Sequence, residues 1–275
     1  MNGRISHHRR RFGIGLIGGP TAVIDYGGLR SITDPTFDRP REYEYLVKTK
    51  GPAVDPSELG DIDLVLLSHD EHVDNFDEQG RHVAAAANVI LTGPISAARL
   101  GPGAMGLEPW TSTTVPSPDG NDVVIEAVPA VHGPADAPRD AHGHINCEVT
   151  GFIVSSAQDL PTLYVSGDNA SIGVVAEVAG QRQIDIAILF AGAARVPAKF
   201  SGRPLTLTSE RAADAAALLG ATAVIPVHCD GWGHFAEGPL RVGQAFDEAG
   251  LSDLLVQPEL GTWLPMHWGE GSETR

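Results

Sequence analysis

Short apolar runs closed by Gly, Pro, Asn or Asp recur along the whole chain, a pattern of strands bounded by turns. Residues 13–17, 22–26 and 29–33 read as antiparallel strands separated by Gly18-Gly19-Pro20 and Gly27-Gly28. Further strands are expected at 62–67, 89–92, 123–131, 151–154, 163–165, 184–189 and 223–227. Helical patterning takes over at 78–87, 95–100, 170–179 and 209–219. The last of these opens on Thr208-Ser209-Glu210, an N-cap signal, and stops at Gly220. The first half meanders from strand to strand, whereas the second alternates helices with strands. That combination fits an α/β (α+β) fold of two mixed sheets packed face to face, with helices on both outer faces. The Pro-rich, charged stretch 39–60 and the Gly-, Pro- and Asp-rich stretch 133–148 read as loops. No linker divides the chain, so one domain at 13–268 is expected after a flexible N-terminus at 1–12.

The strand at 62–67 runs into Ser68-His69-Asp70-Glu71-His72-Val73-Asp74-Asn75-Phe76-Asp77. Imidazoles and carboxylates are costly to bury unless paired or metal-bound, so their density at the mouth of a strand suggests a metal site. Three other runs end the same way: 123–131 in His132, 163–165 in Ser166-Gly167-Asp168, and 223–227 in His228. One strand-end histidine is more often a satisfied rim residue. Four such placements point to convergence on one edge of the sheets. Imidazole with carboxylate suits zinc, iron or manganese.

Composition narrows the partners. A net charge of −16 argues against a polyanion, and only Arg9-Arg10-Arg11 looks basic, so no nucleic-acid partner is expected. Cys147 and Cys229 are too few for a disulfide framework. No signal-peptide-like region or bilayer-length apolar run is present, so a soluble cytoplasmic protein without a membrane partner is expected.

A His-rich cluster, a strand-end His, Ser-Gly-Asp and another strand-end His, in that order, resemble the metallo-β-lactamase-fold hydrolases. The resemblance runs from Gly18 to Trp263 and looks closest to the branch of ascorbate-phosphate lactonase-like proteins. Gly18-Gly19-Pro20-Thr21, the stretch from Leu29 to Asp38, and Gly231-Trp232-Gly233-His234-Phe235 also match that branch. It implies a four-layer αβ/βα sandwich of two mixed sheets flanked by helices. It also implies one or two divalent ions (zinc foremost, with manganese or iron as alternatives) and assembly into homo-oligomers.

The usual motif of that superfamily is His-x-His-x-Asp-His, and this chain departs from it. In one register His69 and His72 are the histidine pair, Asp74 the aspartate, and Asn75 stands where the last histidine would be. In the other, Glu71 takes the second-histidine place. The first keeps His72-x-Asp74 intact and is preferred. It implies one ion on His69, His72 and His132, with Asp168 bridging to a second ion on Asp74 and His228. The second site is expected to be weaker, because Asn75 offers only a neutral amide. Asp34 either orients a metal-bound histidine or makes an Asx-Pro turn.

In the roles carried by the resemblance, Asp74 is the general base. His234 donates a proton to the leaving group or binds the oxyanion, with a packed loop histidine as the plain alternative. Trp232 walls the substrate pocket, and Tyr43, Tyr45 and Lys48 reach substrate from the 39–60 loop. His142 and His144 read as solvated loop histidines. The expected function is a metal-dependent hydrolase using a metal-activated water on a small-molecule ester, lactone or amide. The alternatives are a phosphodiesterase of the same fold, or a non-enzymatic, metal-weakened member that binds a ligand.

Overall fold

Alternation along the strands decides the architecture of the computed structural model, which describes residues 3–118, 120–157, 159–257 and 259–266. Residues 267 and 268 of the expected domain lie outside these. The first sheet comprises β1 (Phe12–Gly18), β2 (Thr21–Tyr26) and β3 (Leu29–Thr33), then β6 (Leu64–Leu66), β7 (Val89–Thr92) and β8 (Ala104–Gly106). The second comprises β9 (Ser112–Val115), β10 (Val123–Pro129), β11 (Thr150–Ser156), β12 (Leu163–Val165), β13 (Ile186–Phe190) and β14 (Ala223–Val227). A small hairpin of β4 (Arg41–Glu42) and β5 (Val47–Lys48) stands apart.

The orders are β1-β2-β3-β6-β7-β8 and β14-β13-β12-β11-β10-β9. The first sheet is antiparallel through β3 and parallel from there to β8. The second is parallel from β14 to β12 and antiparallel onward to β9. This is the metallo-β-lactamase-like arrangement of two mixed sheets.

In β6, Leu64 and Leu66 enter the core shared by the two sheets, while Val65 and the following Leu67 join a cluster on the outer face. In β13, Ile186, Ile188 and Phe190 face the shared core, and Ala187 and Leu189 face the helices. Both faces of these strands are covered, which is why they read as continuous apolar runs. Helices α1 (Glu78–Ala86) and α2 (Pro94–Leu100) lie beside the first sheet. Helices α3 (Ile172–Gln181), α4 (Ser209–Leu219) and α5 (Pro239–Glu248) cover the second through Val175, Val178, Ala212, Ala216, Val242 and Phe246.

The sequence reading omits β8, β9 and α5. β8 is an edge strand of only three residues, Ala-Met-Gly, and β9 is the mostly polar Ser-Thr-Thr-Val. α5 buries Val242, Ala245 and Phe246, a helical spacing that Gly243 and the flanking charges obscure.

Residues 3–12 pack against the first sheet. Arg30, fully buried, is bidentate to Asp25 at 2.7 and 2.8 Å and donates to the carbonyls of Ser6, His8 and Leu59. The Arg10 amide donates to the same Asp25, and Ile5 is buried with its amide on Gly261 O. A second buried pair, Lys48 to Asp77 at 2.7 Å, anchors the 35–48 loop. Asp77 also accepts from the amides of Phe37 and Asp38 and caps α1 through Gly80. A Cβ at Gly80 would meet Pro35 O at 1.7 Å, so only glycine lets α1 press against that loop.

Removing one member of a buried ion pair strands the other charge. Arg30→Ala should therefore cost about 3–5 kcal/mol, read as a lowered midpoint in urea unfolding. A loss under about 1 kcal/mol would mean that Asp25 finds water or another donor.

Candidate metal centre

Four strand ends deliver the site. β6 leads through Leu67 and Ser68 to His69, and a turn closed by the amides of Asn75 and Phe76 on His72 O carries His72 and Asp74 inward. β10, β12 and β14 lead to His132, Asp168 and His228 from the other sheet. The two sets are stitched together by the Thr150 amide donating to Ser68 O at 3.0 Å. Gly167 has φ +54°, and its absent side chain lets Ser68 Cβ approach to 2.9 Å of where a Cβ would stand. His228, Asp34, Asn146 and Ala193 hold positive φ without being glycine, and such strained backbone clusters at functional sites.

His69, His72 and His132 converge. His69 Nε2 lies 2.8 Å and His132 Nε2 3.2 Å from His72 Nδ1. Their far nitrogens set the proton count. His132 Nδ1 lies 2.9 Å from Leu205 O, which can only accept, so its Nε2 presents a lone pair. Ser68 Oγ lies 2.6 Å from Asp34 Oδ2 and 2.9 Å from His69 Nδ1. The Ser68 hydroxyl donates to Asp34 and accepts from His69, leaving a lone pair on His69 Nε2 as well. Lys199 Nζ, 3.2 Å from His72 Nε2, is a donor, so His72 Nδ1 carries the one proton among the three inward nitrogens.

Asp74, Asp168 and His228 form a second cluster beside the first. His228 Nε2 stands 3.3 Å from Asp74 Oδ2 and 3.4 Å from Asp168 Oδ1, yet both its ring nitrogens are buried without a hydrogen bond. His132 Nε2, 3.6 Å from Asp168 Oδ2, links the clusters. His234 Nε2 contacts Asp74 Oδ2 at 2.9 Å.

Asn75 reaches the clusters through its amide, whose Oδ1 is buried without a hydrogen bond. Its amide nitrogen is engaged by Asp34 Oδ2 at 2.9 Å and Asp168 Oδ1 at 3.0 Å. Asp34 takes up Ser68 N, Ser68 Oγ and Asn75, so it acts on the site through other side chains. Glu71 belongs to neither donor group; it pairs with Arg99 at 2.8 Å beside Cys147.

The expected pocket residues pack on each other. Tyr43 stacks on Trp232 with ring centroids 5.5 Å apart and donates to Asp38, Trp232 is 3% exposed, and Lys48 is spent on Asp77. Tyr45 is half exposed and within electrostatic reach of Asp74.

Two neighbours carried no sequence signal. Cys147 joins the three imidazoles, all donor atoms lying within 4.8 Å of one another. Lys199, held by Asn146 Oδ1 at 2.7 Å, is a cation with no carboxylate within ion-pair range among the described residues. Both sit in loops whose local sequence has no period.

Burial dominates the electrostatics. It holds His69 and His132 well below the usual imidazole range, with neighbouring imidazoles adding to it, and it lowers His72 and His228 too. It pushes Asp34 up to about 7, and raises Asp168 well above the carboxylate range with help from the Asp74 and Asp34 charges. Burial would raise Asp74 as well, but the His228 and His234 rings hold it well below the usual value.

A family model described as the beta-lactamase superfamily domain matches residues 30–229. A UPF0173 metal-dependent hydrolase of Methanosphaerula palustris is 28% identical over 204 residues, covering 74% of this chain and 84% of the relative. Among solved structures, an isothiocyanate hydrolase from Delia radicum gut bacteria is similar with a TM-score of 0.77 at 19% identity, over 92% of this chain and 98% of that one. A "possible metal-dependent hydrolase" of Veillonella parvula has a TM-score of 0.78 at 14% identity, over 93% and 99%. At these identities the structural likenesses show the fold.

The buried histidines make stability pH-dependent. In the unfolded chain they bind protons below about 6.5, whereas their depressed folded values keep them neutral, so their contribution is present above about pH 6.5 and lost as pH falls. Asp34 and Asp168, raised in the fold, work the other way, but two carboxyls oppose four imidazoles. In chelator-treated protein the urea midpoint should fall between about pH 7 and 5. A flat or rising midpoint would contradict neutral, buried imidazoles.

Proposed function

The chain belongs to the beta-lactamase superfamily domain family, and from that premise and the donor geometry we propose a metal-dependent hydrolase of small molecules. The substrate bond is an ester, lactone or amide. The observation that carries this reading is the convergence of His69 Nε2, His72 Nδ1 and His132 Nε2 beside Asp74, Asp168 and His228. The names of the Methanosphaerula and Veillonella proteins support the reading.

The residues fit a cation. Two buried carboxylates face each other near three inward imidazole nitrogens that share one proton, and His228 has two orphaned buried nitrogens. The facing carboxylates and the unpaired His228 Nε2 beside them are a cost to the fold that a positive ion between them removes. His69, His72 and His132 would hold one ion, and Asp74, Asp168 and His228 a second. When bound, the metal supplies Lewis acidity and an acidified water. The soft-to-borderline nitrogen set favours zinc or iron, with manganese suited to the carboxylate-rich second cluster.

The chain's own groups supply the rest. Asp74, kept ionised by His228 and His234, orients the attacking water and accepts its proton. His234, 10% exposed at the side chain and touching Asp74 through Nε2, is placed to pass that proton to the leaving group. Lys199, held by Asn146 and His72 Nε2, steadies the His72 ring from the side away from the donor cluster. Asn75 offers the second cluster no imidazole, but its amide holds Asp34 and Asp168 in place, so Asp74, Asp168 and His228 remain its donors.

The test is elemental analysis of purified protein alongside turnover of a panel of lactones, esters and amides. Chelation should abolish turnover and re-addition of zinc, iron or manganese should restore it. Asp168→Ala should lower the metal content, whereas His234→Ala should keep the metal and lower kcat about 10²–10⁴-fold. Metal-free protein that takes up none on titration would sink the reading.

A further inference from the structure

We propose that Cys147 is a fourth protein ligand of the ion held by His69, His72 and His132, making that centre His3Cys. The inference rests on the metal-dependent reading above and deepens it. Cys147 is buried, unpaired as a disulfide, and its sulfur lies with the three imidazole donor atoms within a common 4.8 Å span. No sequence motif puts it there; three anchors do.

On one side, Asn146 takes a left-handed backbone with φ 67° and accepts from Lys199 at 2.7 Å. On the other, the Glu148 carboxylate accepts from the Ile95 and Ser96 amides at 2.9 and 3.1 Å, capping the start of α2. Two residues on, the Thr150 amide is bonded to Ser68 O, next to His69. Asn146 and Glu148 are thereby held to other elements, and Cys147 between them is left facing the imidazoles. A second observation points to an ion at the same place. His69 and His132 are almost wholly buried, and the hydrogen bonds on their far nitrogens leave both Nε2 lone pairs facing inward at His72 Nδ1, inside the donor group that the thiol completes.

The Cys147 thiol is hydrogen-bonded to Glu71. Coordination as thiolate releases one proton, and Glu71, itself paired with Arg99, stands where that proton departs toward solvent. A thiolate on the first ion has a consequence for metal choice. Sulfur with three imidazoles selects zinc, cobalt or ferrous iron and disfavours manganese and magnesium there. Cys229 offers no competing ligand. It is buried in the helix-facing cluster beyond His228 and belongs to neither donor group.

The experiment is cobalt(II) titration of the metal-free full-length protein, followed by absorption spectroscopy. Bound cobalt gives visible ligand-field bands, and sulfur ligation adds a near-ultraviolet charge-transfer band. We expect that band in the wild type and in Cys229→Ser, and its loss in Cys147→Ser and Cys147→Ala while the ligand-field bands persist. Ligand-field bands without the sulfur band in the wild type would overturn the proposal and leave the metal reading intact. So would a sulfur band that survives in the Cys147 variants. No cobalt uptake at all would overturn the metal reading and this one with it. The wild-type spectrum decides the matter even if the Cys147 variants fold poorly.

Discussion

The carboxyl of Asp34 ties the site together. It lies at the end of β3, fully buried, with a backbone φ of 29° that an Asp adopts only under constraint. Its two oxygens take Ser68 N, Ser68 Oγ and Asn75 Nδ2. Through Ser68 it sets the proton on His69, and through Asn75 it holds Asp168, so one residue of the first sheet orients a group from each donor cluster. A buried polar network of this kind is costly when half satisfied and specific when complete.

The fold is arranged so that this network can exist. Two sheets whose strands are apolar on both faces supply enough burial to offset ionisable groups at one edge. Buried ion pairs, Arg30 with Asp25 and Lys48 with Asp77, then fasten the segments that would otherwise hang free: the N-terminus, and the loop between β3 and β6. Gly80 and Gly167 permit the close approaches that bring α1 and the β12 turn against their neighbours. The strained residues follow the same logic, being concentrated where strand ends turn into the site.

Function follows from what this frame leaves uncompensated. The His228 ring nitrogens lack a hydrogen bond, Asp168 faces two other carboxylates, and three imidazoles share one proton. Such a frame is stable when something cationic stands between the clusters, which is why the donor arrangement and the pH behaviour of the metal-free protein are two views of the same constraint.

Much of this was legible in the chain alone. The strand-end positions of His69, His132, Asp168 and His228 are properties of local period and turn chemistry, which operate over a few residues and so can be read without neighbours. The principal strands and four helices were legible for the same reason. Asn75, Glu71 and Asp34 were not resolved, because whether a polar group binds an ion or another side chain depends on partners 28 to 93 residues away in the chain. The stacking of Tyr43 on Trp232 and the hold of Arg30 on Ser6 and His8 join separate segments and follow from no local pattern. Cys147 and Lys199 had no signal at all: they sit in aperiodic loops, and their chemistry comes from the imidazoles that tertiary folding sets against them. Local pattern determined which strands end in ligating residues; only the packing of the two sheets decided which of those atoms meet, because the meeting is made by long-range burial and not by anything in the adjacent sequence.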